Sequence, residues 1–145
     1  MNATPQQLDE EMSFKLYMLN RLVQQTYQTF LSPLNLTYPQ YLVMKILAEE
    51  DHVPVNVISS RLMLESNTVT PLLQRMQRNG LITRTQKCED HRQRIISLTA
   101  QGKNMQHNIC QVSAFVATSL NDMKQNCGMA NDLIQRLNTF ITRLA

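Results

Sequence analysis

The chain has 145 residues, of which 43% are hydrophobic and 17% are charged, and its formal net charge is +3. This length and apolar content fit one packed domain and exclude intrinsic disorder. No apolar run is long enough for a membrane span, the polar N-terminus is not a secretion signal, and three cysteines without metal-ligand spacing favour a reduced, cytoplasmic protein.

The first third of the sequence predicts two helices. Apolar residues recur every three or four positions from Met12 to Phe30, which predicts one stripe along a long helix that Ser32-Pro33 ends. Thr37 is placed to cap a second helix, and the apolar run at residues 41–47 indicates that this helix is central and buried.

The middle of the chain predicts a short helix, a turn and an amphipathic helix. Pro54 opens the short helix, and the turn lies at residues 63–65. The amphipathic helix should begin near Asn67 or Thr68, because Pro71 lacks an amide donor and belongs in or beside the first turn. Asn79-Gly80 should end it. Its predicted buried face consists of Val69, Leu72, Leu73 and Met76.

A basic hairpin follows this helix. Two β-like runs, residues 81–85 and 95–98, flank the polar stretch 87–94, and six basic residues fall between positions 75 and 94. A helix followed at once by a basic hairpin is the arrangement of a winged helix-turn-helix. Such a helix can enter the major groove of DNA while an arginine at the hairpin tip reaches the minor groove.

Two apolar-striped helices follow the hairpin. Thr99 is placed to cap a long one, and Cys127-Gly128 separates it from the last. The terminal stripes lie outside the compact winged core, so a second copy of the chain is expected to bury them. The predicted fold is therefore mainly α with a small β wing, a winged helix-turn-helix with N- and C-terminal dimerisation helices. We expect a single domain at 1–145, with the DNA-binding part at about 34–100 and the dimerisation helices at about 8–31 and 101–145.

The candidate DNA contacts lie on the amphipathic helix and the hairpin. Glutamine can pair with adenine, arginine with guanine, and a threonine methyl can touch thymine, whereas residues near the helix N-terminus can hold phosphates. At the tip, Asp90 can steady a basic neighbour while Arg92 enters an A·T-rich minor groove. A polar helix face is usually only solvated, but the adjacent basic hairpin favours DNA. The full candidate set is Asn67, Thr68, Thr70, Gln74, Arg75, Arg78, Arg84, Asp90, Arg92 and Arg94.

Four stretches together resemble the MarR family of bacterial regulators, and within it the OhrR branch that senses organic hydroperoxides. They are residues 36–43, residues 67–73, the Asp90-His91-Arg92 tip and residues 97–102, and the likeness runs from about Leu8 to the C-terminus. The resemblance implies a homodimer with interlocked terminal helices. It also implies that one recognition helix and one wing per protomer contact an inverted-repeat operator in double-stranded DNA, with repression relieved by a ligand or an oxidant.

The chain departs from that branch at the sensing position. Where the branch has a reactive cysteine in a Cys-Phe-x-x-Tyr context, this sequence has Ser13-Phe14-Lys15-Leu16-Tyr17. A serine hydroxyl is not ionised at neutral pH and does not reduce peroxides. The tyrosines that hydrogen-bond the sensing cysteine match Tyr27 and Tyr38. Ser13 is therefore either an engineered Cys→Ser change or the residue of a natural relative that senses something else.

The three cysteines of the chain, which lie elsewhere, could sense an oxidant. Cys110 and Cys127 lie in or near the dimer-forming helices, where buried thiols are usually inert, and Cys88 lies on the wing. The predicted sensor pocket comprises Ser13, Tyr27, Tyr38, Cys110 and Cys127.

No residue pattern indicates a metal site, a cofactor or catalysis, so the chain is not expected to be an enzyme. Two alternatives stay open. One is a MarR-type repressor released by a small lipophilic or phenolic ligand, and the other is a winged-helix protein-interaction adaptor that binds no DNA.

Overall fold

The chain is mainly helical with a small antiparallel sheet, as predicted. A computed structural model describes Leu8 and residues 11–86, 93–127 and 130–144. The described residues up to Val112 form one compact unit, and those from Ser113 onward form a second. In chain order the elements are α1 (Met12–Leu31), a 3-10 turn (Ser32–Leu34), α2 (Tyr38–Glu49), β1 (Val53–Pro54), α3 (Val55–Leu62), α4 (Ser66–Arg78), β2 (Ile82–Gln86), β3 (Arg94–Leu98), α5 (Ala100–Cys127) and α6 (Ala130–Leu144).

The connection from α1 to α2 follows the predicted signals. Helix α1 ends at Leu31, and Pro33 lies in the 3-10 turn that follows. The turn closes on Asn35, which has a left-handed φ of 54°, a conformation that asparagine tolerates better than most residues. Thr37 then caps α2 in a capping box, in which its N–H donates to Gln40 Oε1 at 2.9 Å.

The core of the winged part lies between α2, α3 and α4. Val43, Met44, Ile58 and Leu73 are all fully buried, one or two from each helix. Helix α4 contacts both α2 and α3, and also β2. The hydrophobic face of α4 is therefore the surface on which the other helices and the wing are assembled.

Helix α4 begins at Ser66, one or two residues earlier than predicted, and Pro71 lies in its second turn. Proline lacks the N–H group that would donate to the Asn67 carbonyl. Asn67 is exposed, so water can donate to that carbonyl instead. The predicted buried face is confirmed in full, since its buried residues are Val69, Leu72, Leu73 and Met76.

The sheet has the strand order β1-β3-β2, with both pairings antiparallel. Ile82 lies opposite Leu98, and Gln86 lies opposite Arg94. The strands are offset by a residue from the predicted runs: β2 begins and ends one residue later, and β3 begins one residue earlier. Ile82, Ile96 and Leu98 are buried, so one face of the hairpin covers the core. Residues 87–92, which include the predicted tip, lie outside the described residues.

The end of α4 and the start of α5 are joined by a close contact. Gly80 has a φ of 72°, which a glycine adopts at little cost, and ends α4 as predicted. Thr99 Oγ1 donates to the Gly80 carbonyl at 2.5 Å and accepts the Gly102 N–H at 3.0 Å, so the predicted cap of α5 is confirmed. A Cβ on Gly102 would lie 2.2 Å from the Leu81 carbonyl oxygen, which leaves room for hydrogen alone.

Asp51 fixes the base of the wing to the loop after α2. Its Oδ1 accepts the N–H groups of Leu98 and His52, each at 3.0 Å, and its Oδ2 lies 3.4 Å from Lys103 Nζ. Burial alone would raise the pKa of Asp51, but the two N–H donors and the Lys103 ammonium outweigh it and lower the pKa below its usual value.

Asp51→Ala is expected to lower the free energy of unfolding by about 1–3 kcal/mol at neutral pH, because a charged acceptor is removed. Since the folded pKa lies below the unfolded one, this contribution is complete above the unfolded value of about 3.9 and is lost as the pH falls through the folded value. Urea unfolding across this range should show that the gap in the free energy of unfolding between parent and variant closes as the pH falls. Asp51→Asn keeps an acceptor without charge and should lose less. A gap that is independent of pH would contradict this account.

Candidate nucleic-acid interface

Helix α4 presents a polar face opposite its buried one. Gln74, Arg75 and Arg78 are exposed, and Thr70 is half-buried beside them. No ion pair within the described part of the chain engages either guanidinium. These side chains are therefore available to hydrogen-bond base edges, the arginine fork with guanine and the glutamine amide with adenine.

The first turn of α4 carries the predicted phosphate-binding residues. Asn67 and Thr68 are both exposed, and Thr68 Oγ1 donates to Asn67 Oδ1 at 3.2 Å. The positive end of the helix dipole favours an anion here. The geometry thus separates candidate phosphate contacts at the start of α4 from candidate base contacts further along it.

The wing contributes Arg84 from β2 and Arg94 from β3. The two residues line one cleft together with Gln77 of α4. Sequence patterns did not identify Gln77, although it follows Gln74 by three positions and so lies near it on α4. Cys88, Asp90 and Arg92 lie outside the described residues, and their predicted roles stay predictions.

Three tyrosines form a cluster between α1 and α2. The ring centroids of Tyr27 and Tyr38 are 4.8 Å apart, and those of Tyr27 and Tyr41 are 5.2 Å apart. Burial, followed by the neighbouring Tyr41 and Tyr38, raises the pKa of Tyr27 to about 12. The predicted pair, Tyr27 and Tyr38, is therefore in contact. Tyr41 was missed, although its spacing of three residues from Tyr38 places both on one helix face.

A groove of about 440 Å³ opens beside these tyrosines. Its lining includes apolar side chains from α2 and α3 as well as the charged residues Lys45, Glu49 and Arg61. Arg61 forms an ion pair with Glu49, and Lys45 also lines the groove. The aromatic wall therefore suits a small aromatic molecule.

Ser13, another of the sensor candidates, does not meet this cluster within one chain. Ser13 is exposed in the first turn of α1, where its Oγ donates to Glu11 Oε2 at 3.4 Å. Ser13 and Tyr27 are on the same helix, and a rise of 1.5 Å per residue separates them by about 21 Å. Cys110 is an exposed free thiol on α5, whereas the side chain of Cys127 lies outside the described part of the structure.

The described residues hold no group of three or more His, Cys, Asp or Glu side chains arranged for a metal ion. Among the described helices, none combines the length and the apolar character needed to cross a lipid bilayer.

Comparison with known proteins places these features in a family. The model of the SarA/Rot transcriptional regulators matches residues 25–109. An organic hydroperoxide resistance transcriptional regulator of Bacillus subtilis is 42% identical over 95 residues, which cover 66% of this chain and 65% of that relative. The match thus spans just under two thirds of the relative's length.

Solved structures extend the likeness over nearly the whole chain. A crystal structure of overoxidized AbfR bound to DNA, a protein known from Staphylococcus epidermidis, is 31% identical, covers 95% of each chain and gives a TM-score of 0.77. The crystal structure of MarR, which is 21% identical and covers 91% of this chain and 98% of its own, shares the fold with a TM-score of 0.76. The chain belongs to the MarR/SarA family of winged helix-turn-helix, DNA-binding transcriptional regulators, which are not enzymes.

Proposed function

We propose that the chain is a homodimeric repressor that reads an inverted repeat through α4 and the wing. The observation that carries this proposal is the division of α4 into two faces: one is buried against α2 and α3, and the other presents Gln74 with Arg75 and Arg78, which form no ion pair among the described residues. Thr70, Gln74 and Arg75 are the proposed base contacts, and Arg92 is the proposed minor-groove contact. No large apolar side chain of α4 is exposed, so this helix lacks the apolar anchors by which an adaptor would bind another protein.

Apolar side chains on the terminal helices support the homodimer. In α1, Met12, Leu16, Leu19 and Leu22 are 39–70% exposed, and in α6, Phe140 and Ile141 are 44% and 48% exposed. Apolar stripes of this size are rarely left in water, and a two-fold partner brings the same stripe to meet them. A symmetric dimer would also present two copies of α4, as an inverted repeat requires.

We further propose that regulation in this lineage acts at position 13. A thiolate there can attack an organic hydroperoxide, which gives the sulfenic acid and releases an alcohol, whereas Ser13 cannot. The hydroperoxide resistance regulator of Bacillus subtilis and the overoxidized AbfR complex support redox control among the relatives. The chain with Ser13 therefore stays in the DNA-bound state when peroxide is present.

The tyrosine groove supports a second candidate signal. Tyr27, Tyr38 and Tyr41 form an aromatic wall, with Lys45 and Arg61 nearby. A phenolic or lipophilic ligand in this groove would contact both α1 and α2. It would therefore change the packing of α1 against the DNA-binding part.

Fluorescence anisotropy on the DNA upstream of the encoding gene tests both proposals. Cumene hydroperoxide is expected to weaken DNA binding by Ser13→Cys at least about tenfold, or 1.4 kcal/mol, and to leave the parent chain bound. Cys110→Ser in the parent is the matched control, since it removes an exposed thiol elsewhere.

Release of the parent chain would contradict a sensor at position 13 and would indicate another cysteine. If neither protein is released despite tight binding, the redox proposal fails and the groove ligand becomes the better candidate. Absence of any DNA binding whose affinity falls with salt would overturn the regulator itself, because phosphate contacts release counterions.

A further inference from the structure

The part of the wing toward its tip and the end of α4 line a small polar cleft. It has a volume of about 230 Å³ and is lined by Gln77 of α4 and by Arg84, Thr85, Gln86 and Arg94 of the wing. This volume is several times the ~30 Å³ that one water molecule occupies. The cleft is therefore large enough to hold a tetrahedral oxyanion with some solvent.

The strand register explains why two arginines face this cleft. Arg84 lies opposite Ile96, and Gln86 lies opposite Arg94, so the arginines are diagonal neighbours on one face of the hairpin. That face covers the core at Ile82 and Ile96, which are buried. Further toward the tip, Arg84 is half-buried and Arg94 is exposed. The two arginines therefore lie on the core-facing side of the hairpin, but beyond its buried residues.

The two guanidinium groups have no counter-charge in the described part of the chain. No described carboxylate makes an ion pair with either one. Arg84 Nε is shielded from solvent and donates to no acceptor among the described residues. Burial and then the charge of Arg94 lower the pKa of Arg84, although it stays protonated in water. Both the repulsion and the unused donor would be relieved by an anion in the cleft.

The position of the cleft identifies the anion. Helix α4 is assigned to a major groove and the wing to the adjacent minor groove, and a sugar–phosphate backbone separates two adjacent grooves. In this proposed arrangement the backbone passes between α4 and the wing, the two elements that line the cleft. We propose that Gln77, Arg84 and Arg94 together bind one phosphate group of the DNA backbone, as a site that sets the register of α4. This inference rests on the proposed DNA-binding function.

The chemistry of the three side chains fits such a group. A guanidinium presents two parallel N–H donors that match two phosphate oxygens, and a second guanidinium supplies charge from the other strand. The Gln77 carboxamide adds a neutral donor from α4. Because the donors come from both α4 and the wing, one bound phosphate would hold the two DNA-contacting elements at a fixed spacing.

The salt dependence of DNA binding by the full chain tests this site. The slope of log K against log salt falls by about 0.9 for each phosphate that the protein no longer neutralises. Because a dimer carries two copies of the cleft, Arg94→Gln, at an exposed position, and Arg84→Gln are each expected to lower the slope by up to about 1.8 per dimer. The double variant should show a decrease of about 1.8 in total, because the two arginines of each protomer hold one phosphate. Arg84→Lys should keep the slope but bind about tenfold more weakly, since it keeps the charge and lacks the fork.

Arg136→Gln is the matched control, because it removes the same charge from an exposed residue of α6 that is paired with Asp132. It should leave the slope unchanged. A decrease of about 3.6 in the double variant would mean two separate phosphate sites per protomer and would overturn the shared site. An unchanged slope in all variants, with the parent still binding DNA, would overturn this inference alone. A parent without salt-dependent binding would instead overturn the proposed function.

Duplexes with a single methylphosphonate identify the phosphate, since each such linkage is uncharged. The parent should bind more weakly when one position in each half-site is substituted, and Arg94→Gln should be weakened no further there. Inorganic phosphate tests whether the cleft binds free phosphate instead of a phosphate group of DNA. If it raises the unfolding temperature of the parent but not of Arg94→Gln, while the DNA salt slopes of the two agree, the cleft binds free phosphate and the proposal is wrong.

Discussion

Arg75→Ala is expected to weaken binding to the specific duplex by about 1–3 kcal/mol and to relax the base preference at one position in each half-site. Arg75 is exposed on the polar face of α4 and has no ion pair among the described residues, so its fork is free to pair with a guanine edge. Alanine removes both hydrogen bonds and leaves the guanine acceptors unpaired.

Competition anisotropy with duplexes that carry each of the four bases at every position measures this effect. Arg136→Ala serves as the control for removal of a positive charge away from α4. A uniform weakening on specific and random duplexes would show that Arg75 binds a phosphate instead, because phosphate contacts carry no sequence information.

Leu73→Ala should have the largest effect on stability, a decrease of about 2–5 kcal/mol in the free energy of unfolding. Leu73 is fully buried at the centre of the apolar face of α4, against which α2, α3 and β2 are assembled. Alanine forfeits the transfer free energy of the deleted groups and leaves a cavity. Urea unfolding at a fixed protein concentration is the measurement, since an obligate dimer unfolds at a concentration-dependent midpoint.

Gln74→Ala is the matched control for Leu73→Ala, because it changes the adjacent, exposed position. It should change stability by no more than about 0.5 kcal/mol, as is usual for surface substitutions, while weakening specific DNA binding. Equal destabilisation by both substitutions would show that the two faces of α4 are not divided as described.

The sequence was sufficient to predict α4 and its two faces, because four apolar residues at helical spacing lie on the same side of a helix. Its start was predicted one or two residues late, since Pro71 was expected in or beside the first turn and lies in the second. A proline there costs little when the freed carbonyl belongs to an exposed turn. The capping residues Thr37 and Thr99 were predicted correctly, because caps act through neighbours in sequence.

Contacts between elements could not be predicted in the same way. Ile95 and Ile96 are both apolar, so alternation alone did not fix which of them faces the core, and the shared face of Arg84 and Arg94 follows only from the strand register. Asp51 ends a run of three acidic residues that resembles a solvated cluster, and its bond to the Leu98 N–H joins positions far apart in sequence.

The tyrosine cluster also gives the protein an intrinsic spectroscopic signal. The protein contains no tryptophan and four tyrosines, and three of the four, Tyr27, Tyr38 and Tyr41, touch one another beside the groove. Its near-ultraviolet absorbance, circular dichroism and intrinsic emission therefore arise mostly from the contact between α1 and α2. A signal that reaches this groove can be followed spectroscopically without a label and without DNA.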